Sequence, residues 1–299
     1  MVLDLFCGMG GLALGFARAG FRVAGYDIHP RVPEIFQINR LGEAVAVDLA
    51  TDDPIRPEHR YPAIVVGGPP CRPWSVLNVR RRGQLHPDHH LLSVFFRVVM
   101  DLRPAVFLME NVPPVRRDPD FRRLLACVSA EYDIALRVIR YSDYGAATSR
   151  RRLFVFGVRH ATVIGKPAEL LFRILEKMRA RPRTVWEAIA PYAGLGWGEF
   201  PDHQWVRMRT LEKYEWKYRA GRYGWRILDP DRPAPSFGNI TRGCVLHPRS
   251  FDGMPPRVLS VREAMAIMGF PDDFRFPPRM GLFDRYQMVA DAVSPVFSE

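Results

Sequence analysis

Lysine is nearly missing from this chain of 299 residues: Lys166, Lys177, Lys213 and Lys217 are all it has among 43 basic residues, and arginine supplies the others. A genome rich in G and C, or a hot habitat, would favour arginine too. Neither explains the net charge of +11 or the isoelectric point near 9.9, which point to a polyanionic partner. Arginine suits such a partner, because its planar fork grips phosphates and guanine edges with two hydrogen bonds. Cysteine is scarce as well. Cys7, Cys71, Cys127 and Cys244 are scattered without paired metal-ligand spacing, so no metal is expected and a reduced, cytoplasmic setting is the reading. No apolar run is long enough to span a bilayer, and the first residues enter a strand at once, so neither a membrane anchor nor a signal peptide is expected. Internal repeats and low-complexity tracts are absent. What is left, at 47% hydrophobic and 25% charged, is an ordinary globular composition. Its length suits one large domain, or one plus a smaller one.

Residues 2–6, Val-Leu-Asp-Leu-Phe, form a short apolar run, and a glycine-rich turn leads into Leu12–Ala17. This reads as strand, tight turn and helix. Further strands are predicted over Arg22–Tyr26, ending at Asp27, and over Ala44–Val47, ending at Asp48. Others should end near Gly67, at Met109, around Ile139 and at Gly157, with helical segments between most of them. That alternation predicts an α/β fold class with a doubly wound, mostly parallel sheet. Beyond Gly157 the alternation fails. Residues 161–256 are rich in proline, glycine, tryptophan and arginine, with helices predicted at about 168–180 and around Val185–Ile189. From 202 to 226 aromatic and basic residues interleave. Regular structure returns with Ser260–Gly269, whose Ser260 and Glu263 make a capping box. The expected domains are therefore 1–160 with 272–299, and a smaller insertion over 161–271 that includes the helix 260–269.

Three constellations carry chemistry. The loop Asp4–Gly11 runs from strand to helix, where glycines let a ligand approach backbone amides at a helix N-terminus. Acids at the next two strand ends, Asp27 and Asp48, fit a ribose hydroxyl and an adenine amine. Tight packing alone would also use such a turn, and both acids could simply cap helices. Second, Pro69-Pro70-Cys71 sets a thiol on a rigid turn after the run Ala63–Gly68. Free cysteines are more often buried packing, but prolines 69, 70 and 73 are a costly way to place a core residue. Third, Glu110-Asn111-Val112 closes the run Ala105–Met109 with a carboxylate whose burial should raise its pKa and keep it a proton donor. Parallel strands would bring both ends to one sheet edge. A thiol facing an acid that can grip a ring nitrogen suits attack on a pyrimidine. Arg150-Arg151-Arg152 could be a solvated turn, yet Arg152 directly precedes Leu153–Phe156 and should be held rigidly.

In this order, over nearly the whole chain, the motifs resemble the C5-cytosine DNA methyltransferases. Leu3–Gly11 resembles the S-adenosylmethionine loop, Pro69-Pro70-Cys71 the nucleophile motif, and Met109–Val112 the Glu-Asn-Val signature. Tyr144–Gly157 is similar to the arginine-x-arginine motif, Arg257–Pro271 to the motif that braces target recognition, and Ala290–Val293 to the final Gly-Asn-Ala-Val. The resemblance implies a class I, Rossmann-like methyltransferase that uses S-adenosyl-L-methionine and releases S-adenosyl-L-homocysteine. It implies catalytic roles for Cys71, Glu110, Arg150 and Arg152. The cofactor would meet Phe6, Gly8, Gly10, Gly11, Asp27, Ile28, Asp48, Leu49, Pro70, Leu91, Asp291 and Val293. DNA would meet Arg72 and Ser75, the mobile-loop arginines Arg80, Arg81 and Arg82, and Arg207, Arg209, Arg219, Arg222 and Arg242 of the recognition region. The implied partner is double-stranded DNA, with the enzyme a monomer beside an independently acting restriction endonuclease.

The chain also departs from the family. Thr148 and Met268 stand where glutamines are usual, Arg72 follows the nucleophile, and the last motif reads Ala290-Asp291-Ala292-Val293. It stops six residues after Val293, where the family continues into a helix beside the first strand, so a truncated end is the expectation. Alternatives remain at this point. A tRNA methyltransferase of the same fold would carry a Cys-Phe-Thr segment, and none is found. A catalytically impaired DNA-binding relative would not need both Cys71 and Glu110. An NAD-dependent oxidoreductase could claim the first glycine loop alone.

Overall fold

The computed structural model describes residues 1–75, 83–160, 165–220, 222, 225–252 and 254–298. These form two compact units, Met1–Arg140 with Arg151–Arg179 and the chain's last three residues, and Tyr141–Arg150 with Ala180–Val296. This division by compactness runs at other residues than the division by function expected above.

The first unit is built on seven strands: β1 (Val2–Leu5), β2 (Val23–Asp27), β3 (Glu43–Ala46), β4 (Ile64–Gly67), β5 (Val106–Asn111), β6 (Tyr132–Arg140) and β7 (Arg151–Arg159). Their order in the sheet is β3-β2-β1-β4-β5-β7-β6. The first five pair in parallel, and β7 lies antiparallel between β5 and β6. All four residues of β1 are buried, as a central parallel strand covered on both faces requires. The chain winds outward from β1 through β2 to β3, then crosses back to place β4 on the other side. The carboxyl ends of β1 and β4 thus flank the switch point where α/β sheets bind ligands.

Helices α1 (Gly11–Arg18), α2 (Val32–Ile38), α3 (Leu91–Leu102), α4 (Pro119–Val128) and α5 (Pro167–Lys177) complete this unit. In α3 the apolar positions Leu92, Phe95, Phe96 and Val99 recur at i, i+3, i+4 and i+7 and are all buried. Phe95 and Phe96 meet Phe107 of β5 edge-on, with ring centroids 6.3 and 6.1 Å away. Gly157 of β7 is held to glycine by that same ring: a Cβ there would come within 2.0 Å of Phe107. Helix α5 matches the helix predicted at about 168–180, and its Phe172 packs on Phe156.

The second unit contains α6 (Val185–Ile189), α7 (Arg209–Arg219), a two-stranded sheet of β8 (Arg226–Ile227) and β9 (Val245–Leu246), α8 (Ile240–Gly243), α9 (Val261–Met268) and α10 (Leu282–Asp291). A last short helix, α11 (Pro295–Ser298), closes the chain. Every residue of α9 is buried, including Arg262 and Glu263. The capping box is present, and the helix stops at Gly269, whose φ of 88° only glycine adopts without strain. Burying those charges requires partners. Arg257 grips Glu263 with two hydrogen bonds of 2.8 and 2.7 Å, and Arg262 donates to the carbonyls of Pro201, Pro271 and Phe274. Helix α7, a run of aromatic and charged residues, lies in the segment 202–226 that the sequence pattern leaves irregular.

Candidate active site

The loop after β1 begins with an unusual backbone. Phe6, Gly8 and Gly10 all have positive φ, at 54°, 52° and 86°. Gly10 is the N-cap of α1, and a Cβ there would strike Leu41 at 2.4 Å. Around Gly8, by contrast, an added Cβ would meet nothing within 4 Å, so the backbone there borders open space. The Gly8 amide donates to Asp27 Oδ2 at 2.9 Å, and the His29 amide donates to Asp27 Oδ1. The acid at the end of β2 is thereby oriented, and each oxygen has a second lone pair to offer. Next to it Ile28 keeps 70% of its surface exposed, an apolar face bare just beyond the end of β2. At the end of β3, Asp48 accepts from the Ala50 amide, Leu49 is buried, and Leu91 opens α3 half-buried. Asp291 and Val293 belong to the second unit, where Asp291 accepts from Gln287.

Two buried groups lie beneath this loop. Asp4 is pushed well above the usual carboxyl range, mainly by burial, and among the described residues its Oδ2 has no partner. Burial likewise pushes the Cys7 thiol far up, with Asp4 and Asp27 adding to it, and Cys244 is raised by burial too. Cys7 and Cys244 therefore stay protonated and unreactive. Cys127 is exposed on α4.

Cys71 differs in its setting. It follows β4 on the turn Pro69-Pro70, half-exposed, with its carbonyl accepting from the Trp74 amide at 3.0 Å. The neighbouring strand β5 brings Glu110 to the same edge: Gly67 is in register with Met109, so the next residues along, Gly68 and Glu110, stand side by side. A Cβ on Gly68 would come within 3.1 Å of Glu110 Oε2. Asn111, fully buried, donates from Nδ2 to the Pro69 carbonyl at 3.0 Å and accepts the Val112 amide at 2.8 Å. The acid's strand is thus tied to the cysteine's turn.

Arg152 reaches Glu110 from β7. Glu110 is opposite Phe154, and Arg152, two residues along, is its diagonal neighbour on the same sheet face. Its Nε donates to Glu110 Oε1 at 2.8 Å, with both side chains about nine-tenths buried. A guanidinium so placed fixes the carboxylate's plane and leaves its other oxygen beside Gly68. Arg150 belongs to the second unit. There it is buried and donates to the Phe237 carbonyl, and its amide bonds to Thr148 Oγ1, which itself donates to the Ala234 carbonyl. The threonine that replaces the usual glutamine is thus a buried link in that unit.

A further cluster is not signalled by any motif. Trp74 Nε1 donates to Asp118 Oδ2 at 2.7 Å, and His89 Nε2 lies 3.0 Å from the same oxygen. Asp118 Oδ1 caps α4 by accepting from the amides of Asp120 and Phe121. Burial alone would push its carboxyl up, but the hydrogen bonds from Trp74, His89 and Phe121 outweigh that and hold it below its usual range. Trp74 and His89, on either side of the segment after Cys71, are anchored on this one acid.

The candidate DNA contacts fall into three groups. Arg80, Arg81 and Arg82 lie outside the described residues. Arg72, Arg207 and Arg219 face acids, Arg72 at 3.6 Å from Asp88 and the others at 2.8 and 2.7 Å from Glu212 and Glu215. Arg209, Arg222 and Arg242 are exposed, with Arg242 over the Phe283 ring, and Ser75 is half-buried beyond Trp74.

A seven-stranded sheet with one antiparallel strand next to its edge, and a glycine loop at the switch point, defines a class I methyltransferase fold. Solved structures agree. A proposed DNA modification methyltransferase from an Escherichia coli prophage superimposes over 99% of this chain and 95% of its own, with TM-score 0.71 and 25% identity. The Dnmt2 methyltransferase of Schizosaccharomyces pombe does so with TM-score 0.73 over 99% and 95%, at 15% identity. Type II methyltransferase M.FnuDI of Fusobacterium nucleatum is 28% identical, covering 98% of this chain and 90% of that protein. Type II methyltransferase M.MthTI of Methanothermobacter thermautotrophicus is 27% identical over 100% and 94%. The profile of the C-5 cytosine-specific DNA methylases matches residues 1–299. The chain belongs to that family, and its activity is methylation of cytosine C5 in DNA; the tRNA-directed alternative is not favoured. Among the described residues no helix is long and apolar enough to cross a membrane.

Proposed function

We propose that Cys71 is the nucleophile, acting on a cytosine turned out of duplex DNA, and that Glu110 and Arg152 hold the base while it reacts. The observation that carries this reading is the joined edge of β4 and β5, where the Cys71 turn, the Asn111 tether and the Glu110–Arg152 pair converge. Stacking hides C5 and C6 of cytosine, so the base must leave the helix. The Cys71 thiolate bonds to C6, and the displaced electron pair makes C5 nucleophilic. Glu110 donates to N3 and accepts from the exocyclic amine, which selects cytosine over thymine. Arg152 contacts the O2 carbonyl. After C5 has taken the methyl group, loss of its proton to a base expels the Cys71 sulfur from C6 and restores the ring. Arg150 serves the same step as the other arginine of its motif.

The methyl donor is S-adenosylmethionine, which supplies an electrophilic methyl group and leaves as S-adenosylhomocysteine. The residues present fit it. The loop through Phe6, Gly8, Gly10 and Gly11 offers backbone that is open at Gly8, Asp27 is oriented to accept from a ribose, Ile28 offers an apolar face to a purine, and Asp48 accepts an amine. Leu49, Pro70 and Leu91 complete the proposed cofactor site on this unit, and Asp291 and Val293 belong to the final motif to which the family resemblance gives a cofactor role. Residues 1–160 with 272–299 form the catalytic domain, and 161–271 recognise the target. The enzyme works as a monomer in the cytoplasm, and the Type II names of its relatives support an independently acting restriction endonuclease beside it.

The test combines labelled methyl transfer with a duplex carrying 5-fluorocytosine, in which C5 has no proton to lose. The unaltered protein should label ordinary duplex DNA and form a denaturation-resistant adduct with the fluorinated one. Cys71→Ser should do neither. Methyl transfer retained by Cys71→Ser would sink the assignment.

A further inference from the structure

The turn that carries Cys71 is short of its own support. The Cys71 carbonyl accepts the Trp74 amide at 3.0 Å, which closes a turn through Arg72 and Pro73. Pro73 stands at its third position, where proline is disfavoured in the commonest such turn. Pro69, Pro70 and Pro73 also give the backbone no amide hydrogen with which to bind its neighbours. What fixes the turn must therefore come from outside it. Before the thiol that support is Asn111, donating to the Pro69 carbonyl. After the thiol it is Trp74, which is buried.

An indole has a single donor and no acceptor, so a buried one is aligned by whatever takes that hydrogen. Here it is Asp118 Oδ2, 2.7 Å from Trp74 Nε1, with the His89 ring 5.4 Å from the indole and its Nε2 on the same oxygen. Asp118 is itself fixed. Its Oδ1 accepts from the amides of Asp120 and Phe121, and its own amide donates to the Val115 carbonyl at 2.9 Å. Val115, fully buried, donates in turn to the Val112 carbonyl, and Val112 directly follows Glu110 and Asn111. The one stretch Glu110–Asp118 thus supplies the acid beside the Cys71 turn and two side chains that hold that turn, one before the thiol and one after it.

We propose that Asp118 is a positioning residue for methyl transfer, setting through Trp74 where the Cys71 sulfur stands. The assignment rests on Cys71 being the nucleophile. Attack needs the reacting atoms about 3–3.5 Å apart and aligned, and a displacement of about 1 Å can cost on the order of 10²-fold in rate. The Asp118–Trp74 bond acts on the thiol's place, so its loss falls on the chemical step and not on the binding of either substrate.

Two variants break the bond from opposite ends. Trp74→Phe keeps a buried ring and removes the Nε1 hydrogen. Asp118→Asn keeps an oxygen for the cap of α4, since asparagine caps about as well as aspartate, but turns an amide donor towards the indole. Each should lower the single-turnover rate of methyl transfer, at saturating DNA and S-adenosylmethionine, by on the order of 10- to 100-fold. KM for DNA and the affinity for S-adenosylmethionine, the control for folding, should not change. Because both substitutions remove the same bond, the double variant should be no slower than the slower single one. If Asp118 serves only as a helix cap, Trp74→Phe will react at the parent rate, and that result would overturn the inference. Losses that multiply in the double variant would overturn it too, as would a raised KM at an unchanged rate. Failure of the nucleophile reading would show separately, as methyl transfer retained by Cys71→Ser, and would remove this inference with it.

Discussion

The side-chain amide of Asn111 donates a 3.0 Å hydrogen bond to the main-chain carbonyl of Pro69, fastening the end of β5 to the turn that carries Cys71. Proline gives that turn no amide hydrogen at 69 or 70, so its position depends on what its carbonyls accept. Asn111→Ala should cost about 1–3 kcal/mol of stability, the usual penalty for stranding a buried polar group. Turnover should fall by more than cofactor affinity does, because the bond acts on the thiol's position. Denaturant unfolding and single-turnover methyl transfer, run on the same preparation, check both expectations.

Gly68 is needed for room. A methyl group there would sit 3.1 Å from Glu110 Oε2, the oxygen other than the one that Arg152 Nε holds. Gly68→Ala should therefore shift the carboxylate and lower turnover at least tenfold, about 1.4 kcal/mol in the barrier, while changing the melting temperature little. An unaltered turnover would mean that the carboxylate can give way without losing its function.

Asp118 holds two partners and a helix cap. Removing it as Asp118→Ala strands the Trp74 indole and His89 and uncaps α4, which together should cost about 2–4 kcal/mol. Its carboxyl is depressed in the folded state, so its contribution is present above the unfolded value, about 3.9, and is lost as pH falls through the folded value. The stability difference between parent and variant should thus be constant near neutrality and shrink below about pH 4. Chemical denaturation from pH 7 to pH 3 measures it.

His247 is buried against Glu263, and burial pushes its imidazole down to about 4 despite that acid. In the unfolded chain it titrates at about 6.5. Above that value both states are neutral and pH has no effect through this group. As pH falls towards 4 the unfolded state gains a proton that the folded state refuses, so stability should drop by about 1.4 kcal/mol per pH unit. His203 is lowered in the same direction by burial and should steepen the loss. His247→Asn keeps an acceptor for the Arg249 amide and should flatten the slope between about pH 6.5 and about pH 4. A parallel slope in that variant would count against the assignment.

The central parallel strands are legible in the sequence because they are buried on both faces and read as apolar runs, as Ile64–Gly67 and the start of Val106–Asn111 do. Helix α9 is legible through its capping box. Helix α7 is not, because its inner face is one leucine and two tyrosines spread among charges, too weak a period to separate from an irregular segment. The candidate site is half visible. Cys71, Glu110 and Asn111 stand in motifs, but what separates Arg207 and Arg219, answered by acids of α7, from Arg209 is a matter of side-chain pairing.

The order of apolar runs, turns and acids along the chain determined by itself the α/β sheet and, to within about two residues, where its strands end, since burial period and backbone geometry are local properties. Folding decided the rest. Strand β7 enters between β5 and β6, and that insertion alone brings Arg152 onto Glu110. Asn111 meets Pro69 across 42 residues, and Trp74 meets Asp118 across 44. Such contacts depend on which strands become neighbours, a choice set by packing of the whole sheet and not by the residues on either side of each partner.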